Sequence, residues 1–403
     1  FTPNETFADV TTQDINRTIT SGRFNYRPTH WLAVLAVGGL DFISREDTQL
    51  CRREECVNFS TIKLGFRGNN RTTFFNYTGD LNATASYRLG GDVGAKTIVG
   101  GQYVKEKFAR NGAFGEDLTP GGTTVNSGAI LDADESTTIT ATLGYFAEQS
   151  ISYKDRLYLT AAVRSDKNSA FGKQFTRVYY PKASVSYVLS DEAFFPKSDL
   201  LSSLRLRGAY GASGRQPGPN DAIPFLLSGI SNVDGTDAPG LFIGALGNAK
   251  LKPERTAEVE LGFDATLFQS KVNLEFTYYK KTSRDALLRR TVPPDAGTAA
   301  SQLVNAGRTQ NEGIEATVNA TILDSKSFGW EITASASYNK GKIVTMGDLP
   351  PNRGTTISDI PGYPINAWFL RPYTYQDKNG DGLIGYWKPT VTGGISTPDP
   401  RNE

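Results

Sequence analysis

The sequence predicts an all-β protein: part of a transmembrane, antiparallel, up-and-down β-barrel of about 13 strands, with long extracellular loops and short periplasmic turns. Three observations predict it. Apolar and polar residues alternate with a period of two along unusually long segments. The connections between those segments are short and long in strict turn. Aromatic residues gather near the segment ends, where the two interfaces of a bilayer would lie.

Composition agrees and removes several function classes. The chain has 403 residues and a net charge of +1, with 41 Gly, 22 Phe and 18 Tyr, a β-rich mixture. No apolar run approaches the ~18 residues of a spanning helix, but barrel strands carry a much weaker hydropathy signal than helices. The near-neutral charge gives no support for a nucleic-acid partner. One His and one Met leave little material for transition-metal sites or neutral-pH acid–base chemistry, so neither an enzyme nor a cofactor is expected.

In chain order the strands are expected at roughly 16–27, 31–44, 71–88, 94–108, 137–152, 157–166, 177–189, 203–212, 256–268, 271–284, 312–322, 330–343 and 365–375. Short turns fall at Pro28-Thr29-His30, Gly90-Gly91-Asp92, Lys154-Asp155, 190–202, Gln269-Ser270 and 323–329. Long connections fall near 45–70, 109–136, 167–176, 213–255, 285–311 and 344–364. The pattern is clearest around Gln269-Ser270, where Val259, Leu261, Phe263, Ala265 and Leu267 alternate with Glu258, Glu260, Gly262, Asp264 and Thr266. Beyond the turn Val272, Leu274, Phe276 and Tyr278 alternate with Asn273, Glu275 and Thr277. Ile314, Ala316, Val318 and Ala320 alternate with Glu315, Thr317 and Asn319 in the same way. A lipid-facing Arg or Lys at mid-bilayer costs about 2–4 kcal/mol, so the polar rows must face inward. Glu258, Glu260, Asp264, Glu275, Glu315 and Asn319 are therefore lumen-facing candidates.

Cys51 and Cys56, in CRREEC, lie in a polar connection. In an oxidising compartment they would close a small loop as a disulfide; two reduced thiols are the alternative, and the spacing alone is no zinc signature. Asp377, Asn379 and Asp381 match the first half of a calcium loop, but the twelfth position is Lys388 where a bidentate Glu is needed. An ordinary turn near the outer rim explains the same residues. His30 beside Pro28 reads as a turn residue, and Gly208, Gly211 and Gly214 form no dinucleotide fingerprint.

Several blocks together resemble the barrel of SusC/RagA-type TonB-dependent outer-membrane transporters. They are DRLYLTAAVRSDKNSAFG (155–172), YYPKASVSYVLSDEAFF (179–195), LRLRGAYGASGRQPG (204–218), LGNAKLKPERTAEVELGFDATLF (246–268), NAGRTQNEGIEATVNATI (305–322) and GYPINAWFLRPYTYQDKNGDGLI (362–384). The resemblance implies a barrel of about 22 strands, as in plugged outer-membrane transporters. It also implies import of oligosaccharides or peptides, a SusD-like surface lipoprotein as lid, and energy from a TonB–ExbB–ExbD complex. Residues 1–384 then form one partial barrel domain and 385–403 a tail that follows the family poorly. The chain opens at Phe1 with no leader, and its strand count suggests a fragment lacking the plug. The other readings are a surface or secreted β-sheet glycan-binding module and a passive porin. The expected location is the outer membrane of a Gram-negative bacterium.

Overall fold

A computed structural model describes residues 8–56, 63–171, 177–196, 198–293 and 301–370, and the backbone at 375–376 and 385–386. Twelve long strands build one antiparallel sheet: β1 (Asp9–Tyr26), β2 (Leu32–Cys51), β3 (Phe66–Arg88), β4 (Val93–Leu118), β5 (Gly128–Tyr153), β6 (Leu157–Asn168), β7 (Val178–Val188), β8 (Leu201–Arg215), β11 (Glu254–Leu267), β12 (Val272–Arg284), β15 (Arg308–Asp324) and β16 (Gly329–Thr345). The remaining strands are two hairpins set in long loops, β9 (Phe225–Val233) with β10 (Thr236–Ala245), and β13 (Leu287–Thr291) with β14 (Ser301–Asn305). Each long strand pairs with the one before and the one after it, an unbroken meander that is not closed on itself.

The expected alternation of connections holds except at β7–β8, where the 12 residues 189–200 exceed the 9 residues of 119–127 and of 169–177 on the other rim. Chain reversal at two of the tight turns uses left-handed backbone: φ is 51° and 52° at Lys154 and Asp155, and 53° and 54° at Phe268 and Gln269. Tyr153 pairs with Leu157 and Leu267 with Val272, so these turns hold three and four residues, and Ser270 (φ 71°) continues the left-handed run in the second. No second sheet packs on either face among the described residues, and strand contacts run between neighbours in the meander. A two-layer sandwich requires such a second sheet.

Register assigns every side chain to a face, because directly paired residues point the same way. One face is apolar across all twelve strands. At one level it runs through Phe24, Ala36, Leu81, Gly101, Tyr145 and Ser165, and further on through Leu261, Tyr278, Ile314 and Tyr338. Many of these side chains are exposed, with Leu261 at 56% and Tyr338 at 62%, so water or lipid must cover a wall of large hydrophobics. Phe42, Phe75 and Tyr77 form an aromatic step on this face, with ring centroids 4.6 Å and 6.1 Å apart. Trp330 lies at the opposite, short-turn rim.

One polar cluster interrupts the apolar face and satisfies itself. The Tyr87 and Thr97 hydroxyls lie 3.0 Å apart. Thr97 Oγ1 donates to Gln149 Oε1 at 2.6 Å, and Gln149 Nε2 donates to the Ser150 carbonyl at 3.0 Å. Internal pairing is what hydrocarbon requires of a polar group.

Two expectations need correction. The connection expected at 109–136 is mostly strand and that at 45–70 partly so: β2 and β3 run to Cys51 and from Phe66, and β4 and β5 are 26 residues each. Above the aromatic step both faces are polar and held by cross-strand pairs such as Arg110 with Asp134 at 3.2 Å. Hydrophobic alternation therefore stops where the strands do not. Of the thirteenth strand, expected at 365–375, the described residues do not join the sheet: Ala367–Trp368 pairs instead with Ile357–Ser358 in a small separate sheet. Pro361, Pro364 and the left-handed Asn366 (φ 56°) break extended backbone there.

Cys51 and Cys56 are joined by a disulfide, with Cα atoms 5.7 Å apart, at the tip of β2. Both pack against Phe66, which meets Phe114 at 5.6 Å. Further down the same tip, Glu46 accepts from Asn69 Nδ2 at 3.0 Å and from Arg71 Nη2 at 3.2 Å. The hydrogen bond from Asn69, then Arg71, holds the Glu46 carboxyl below its ordinary range. A depressed carboxyl stabilises the fold above its unfolded-state value, and that contribution disappears as pH falls through the lower folded-state value. Amide exchange in the β2–β3 tip should therefore accelerate on strong acidification, and Glu46→Gln should remove part of that acceleration. Identical acid profiles for the two proteins would refute the linkage.

Candidate functional site

The polar face is densest across β8, β11, β12 and β15. Asp264 is its centre. Arg205 stands directly opposite Asp264 on β8, and Glu275 opposite it on β12. Arg205 Nε donates to Asp264 Oδ2 at 2.6 Å, and Arg205 Nη2 also contacts that oxygen. Arg207 Nη2 lies 3.0 Å from Asp264 Oδ1 and donates to Thr277 Oγ1 at 3.2 Å. Gly262 makes this possible, since a Cβ there would meet the Phe276 carbonyl oxygen at 2.5 Å and Arg207 Nη2 at 3.3 Å. Arg207 Nε is buried with no hydrogen-bond partner. Asp264 Oδ1 also lacks a hydrogen bond of good geometry, although the Arg207 ion pair offsets its charge.

Register puts all six lumen candidates on this one face. Glu258, Glu260 and Asp264 share β11, Glu275 pairs with Asp264, Glu315 pairs with Thr277, and Asn319 pairs with Asn273. Thr333 Oγ1 donates to Asn319 Oδ1 at 2.8 Å. Beside them is a hollow of about 330 Å³ whose walls include Arg207, Glu260, Gly262, Thr277, Tyr158 and Ser186. Its lining holds both a guanidinium, that of Arg207, and the Glu260 carboxylate. Such a surface can hold hydroxyls, amides or a carboxylate, and no proton-transfer dyad is apparent among the described residues.

Sequence reasoning missed Arg205 and Arg207. Their signal was present in LRLRG, where Leu204 and Leu206 alternate with the two arginines and predict that both face the acids of β11. The calcium-loop candidates Asp377, Asn379 and Asp381 lie outside the described residues.

Above the sheet, the two longest loops are stitched together. Asn305 Nδ2 donates to the Lys252 and Asp285 carbonyls at 2.7 Å and 3.1 Å, and Lys252 N donates back to Asn305 Oδ1 at 2.9 Å. Asn248 Nδ2 donates to the Leu303 carbonyl at 3.0 Å. Asn305→Ala removes three of these bonds and should destabilise the loop pair by about 1–3 kcal/mol. Limited proteolysis should then cut within 216–253 much faster than in the parent protein. Equal cutting rates would show that the stitch contributes nothing.

Comparison with known proteins agrees with this architecture. The family described as TonB dependent receptor-like, beta-barrel, matches residues 1–399. The TonB-dependent receptor P26 of Formosa agariphila is 29% identical over 317 residues, 76% of this chain and 31% of that protein. The TonB-dependent receptor SusC of Bacteroides thetaiotaomicron is 23% identical over 277 residues, covering 60% of this chain and 27% of its own length. The chain thus spans about a third of the length of these curated relatives. Among solved structures, the RagAB peptide importer in its open-open state superposes with a TM-score of 0.82 at 20% identity, over 97% of this chain and 43% of that one. The ferric citrate transporter FecA superposes more distantly, at a TM-score of 0.52 over 84% of this chain and 45% of that one. The apolar outer wall, the ionic inner face and the one-sided loops are those of an outer-membrane barrel, and the chain belongs to the TonB-dependent receptor β-barrel family.

Proposed function

We propose that this chain forms part of the wall of an importer that carries oligosaccharide or peptide nutrients through the outer membrane. The observation that carries the reading is the Arg205–Asp264–Arg207 cluster beside the 330 Å³ hollow. It places paired and unpaired polar groups on the inner face of a wall whose other face is apolar. Glu258, Glu260, Asp264, Glu275, Glu315 and Asn319 line the route, and the Arg207 guanidinium on the wall of the hollow offers N–H groups to a ligand carbonyl or hydroxyl. Both sugars and peptides supply such acceptors, and RagAB is by its description a peptide importer.

In this reading a SusD-like surface lipoprotein docks on the long-loop rim. The β9–β10 hairpin is a suitable contact, since Ile230 and Leu241 are 76% and 70% exposed there. Large apolar side chains presented at a rim favour a protein partner. Energy would come from a TonB–ExbB–ExbD complex acting on the receptor.

The test is growth of the host strain, with and without the gene, on defined oligosaccharide or peptide mixtures, and with an agent that collapses the proton gradient. Gene-dependent, gradient-dependent uptake is the expected result. Uptake indifferent to the gradient, with steady single-channel conductance, would indicate a passive porin. Ligand binding without uptake, by a protein soluble without detergent, would indicate a glycan-binding module.

A further inference from the structure

A second hollow on the inner face, of about 380 Å³, is built by β4, β5 and β6 together with the loop that follows β8. Its size is within the range of ligand sites, roughly 300–1,000 Å³. Glu106, Thr140, Thr142 and Asn168 line it from the strands, and Gln216, Pro217 and Pro219 from the loop. Register puts the four strand residues on one face, with Glu106 opposite Thr140 and Thr142 opposite Asn168. Glu106 also stands opposite Asn76, the neighbour of Phe75, so the hollow is level with the aromatic step.

Both halves of the lining are held in place. Thr140 Oγ1 donates to Glu106 Oε2 at 3.2 Å, and Asn168 Nδ2 donates to Thr142 Oγ1 at 2.6 Å. Ala170 N donates to Asn168 Oδ1 at 2.6 Å. In the loop, Gly218 N donates to Asp221 Oδ2 at 2.6 Å, and Asn248 N donates to the Asp221 carbonyl at 3.1 Å. The proline segment is thereby tied to Asn248, whose side chain already bonds the Leu303 carbonyl.

This lining is rich in acceptors and poor in donors. Pro217 and Pro219 have no N–H to offer, and Thr140 spends its hydroxyl proton on Glu106. A carboxylate can accept about four hydrogen bonds; the exposed Glu106 receives this one from a side chain. Neighbouring acids of the inner face are matched by cations: Asp41 by Arg17 at 2.7 Å, Glu148 by Lys182 at 3.3 Å and Asp166 by Arg164 at 2.7 Å. Glu106 has no ion pair among the described residues, and its neighbours Lys105 and Lys107 alternate onto the opposite face. Asp80, two rows lower on β3, is also without an ion pair but lies outside the hollow.

The missing counter-ion must come with the ligand. A primary ammonium carries three N–H donors and no acceptor, the complement of this lining. Val104, Ala170 and the two proline rings add apolar surface beside Glu106, and no aromatic ring lines the hollow. An ammonium next to a small apolar side chain, the chemistry of a peptide N-terminus, matches both features. An amino sugar would instead present its hydroxyls to the apolar wall, at the cost of their hydrogen bonds to water.

We infer that this hollow is a subsite for the free N-terminal ammonium of a peptide, with Glu106 as its counter-ion. The inference rests on the import reading and narrows its cargo.

Isothermal titration on the receptor, extracted from its own outer membrane in mild detergent, tests it without requiring transport. The probes are trialanine, N-acetyl-trialanine, a glucosamine trimer and the N-acetylated form of that trimer. The unaltered receptor should bind trialanine at least about tenfold more tightly than its acetylated form, as expected for a lost charged hydrogen bond. Glu106→Gln should bring the two peptides to equal affinity, and Glu106→Asp should keep part of the difference. Equal binding of the free and acetylated peptides by the unaltered receptor, absence of binding included, would overturn the inference whatever the variants do. A folded Glu106→Gln variant, as shown by heat-modifiable migration, that keeps the full preference would overturn it too. The two sugar trimers should not differ. A preference for the free amino sugar as large as that for the free peptide would mean a different cargo and would overturn the peptide assignment. In every case growth that depends on the gene and the gradient still reports import, so the two readings fail separately.

Discussion

Phe263→Arg should abolish accumulation of the protein in the outer membrane. Phe263 is in mid-strand on the apolar face, paired with Leu206 and with Phe276, whose ring centroid is 5.5 Å away. An Arg facing lipid near the midplane costs about 2–4 kcal/mol, and loss of the aromatic pair adds about 0.5–1.5 kcal/mol. Together, at about 2.5–5.5 kcal/mol, these reach only the lower end of the stability of an ordinary domain, about 5–15 kcal/mol. Thr266→Arg, three residues along on the polar face, is the matched control and should assemble normally. The measurement is the heat-modifiable folded band in outer-membrane fractions. A normal yield of the Phe263 variant would show that this face does not meet lipid.

Arg207→Glu should leave assembly intact but suppress uptake by one to two orders of magnitude. The substitution puts a carboxylate where a guanidinium now lies 3.0 Å from Asp264 Oδ1, on a face that already holds Glu260 and Glu275. Like charges about 4 Å apart repel by about 4 kcal/mol at the effective dielectric of a protein surface, and the half-exposed setting reduces this. The barrel can relax the repulsion by rotating side chains into the hollow, at the ligand's expense. A lost charged hydrogen bond to ligand, about 1.5–3 kcal/mol, corresponds to roughly 10- to 100-fold in affinity. Arg207→Lys should recover part of the loss because it keeps the charge while losing the fork. Unchanged uptake by the Glu variant would remove the cluster from the transport route.

Most of the wall was legible because a membrane imposes alternation on every residue that crosses it. Leu261 and Glu260 could be assigned to opposite faces from their neighbours alone, and the register agrees. The upper parts of β2 to β5 were not legible. Glu46 and Arg71 there face outward and Asn70 and Arg110 inward, so no apolar period marks the strand. Thr97 and Gln149 were hidden for the opposite reason. They occupy the apolar face as polar residues, and only the pairing of β4 with β5 shows that they answer one another. Arg205 and Arg207 belong to a third class: their facing was readable, but Asp264 is 59 residues from Arg205 in sequence and meets it only through the β8–β11 pairing.

The length of β4 and β5 has a consequence for where the protein meets its surroundings. From Lys107, level with Phe75 in the aromatic step, to Leu118 at the strand end is a rise of about 37 Å along the strand, or roughly 28 Å of height when tilted. That is close to the thickness of the hydrocarbon core itself. Cross-strand pairing continues over the whole distance, so the extension is a stiff ribbon. The receptor therefore carries a fixed standoff, holding the end of this ribbon about one membrane core above the lipid. A soluble nutrient reaches that height before it reaches the bilayer. Shortening β4 and β5 by two residues each would lower this end by about 5 Å while keeping every side chain on its present face.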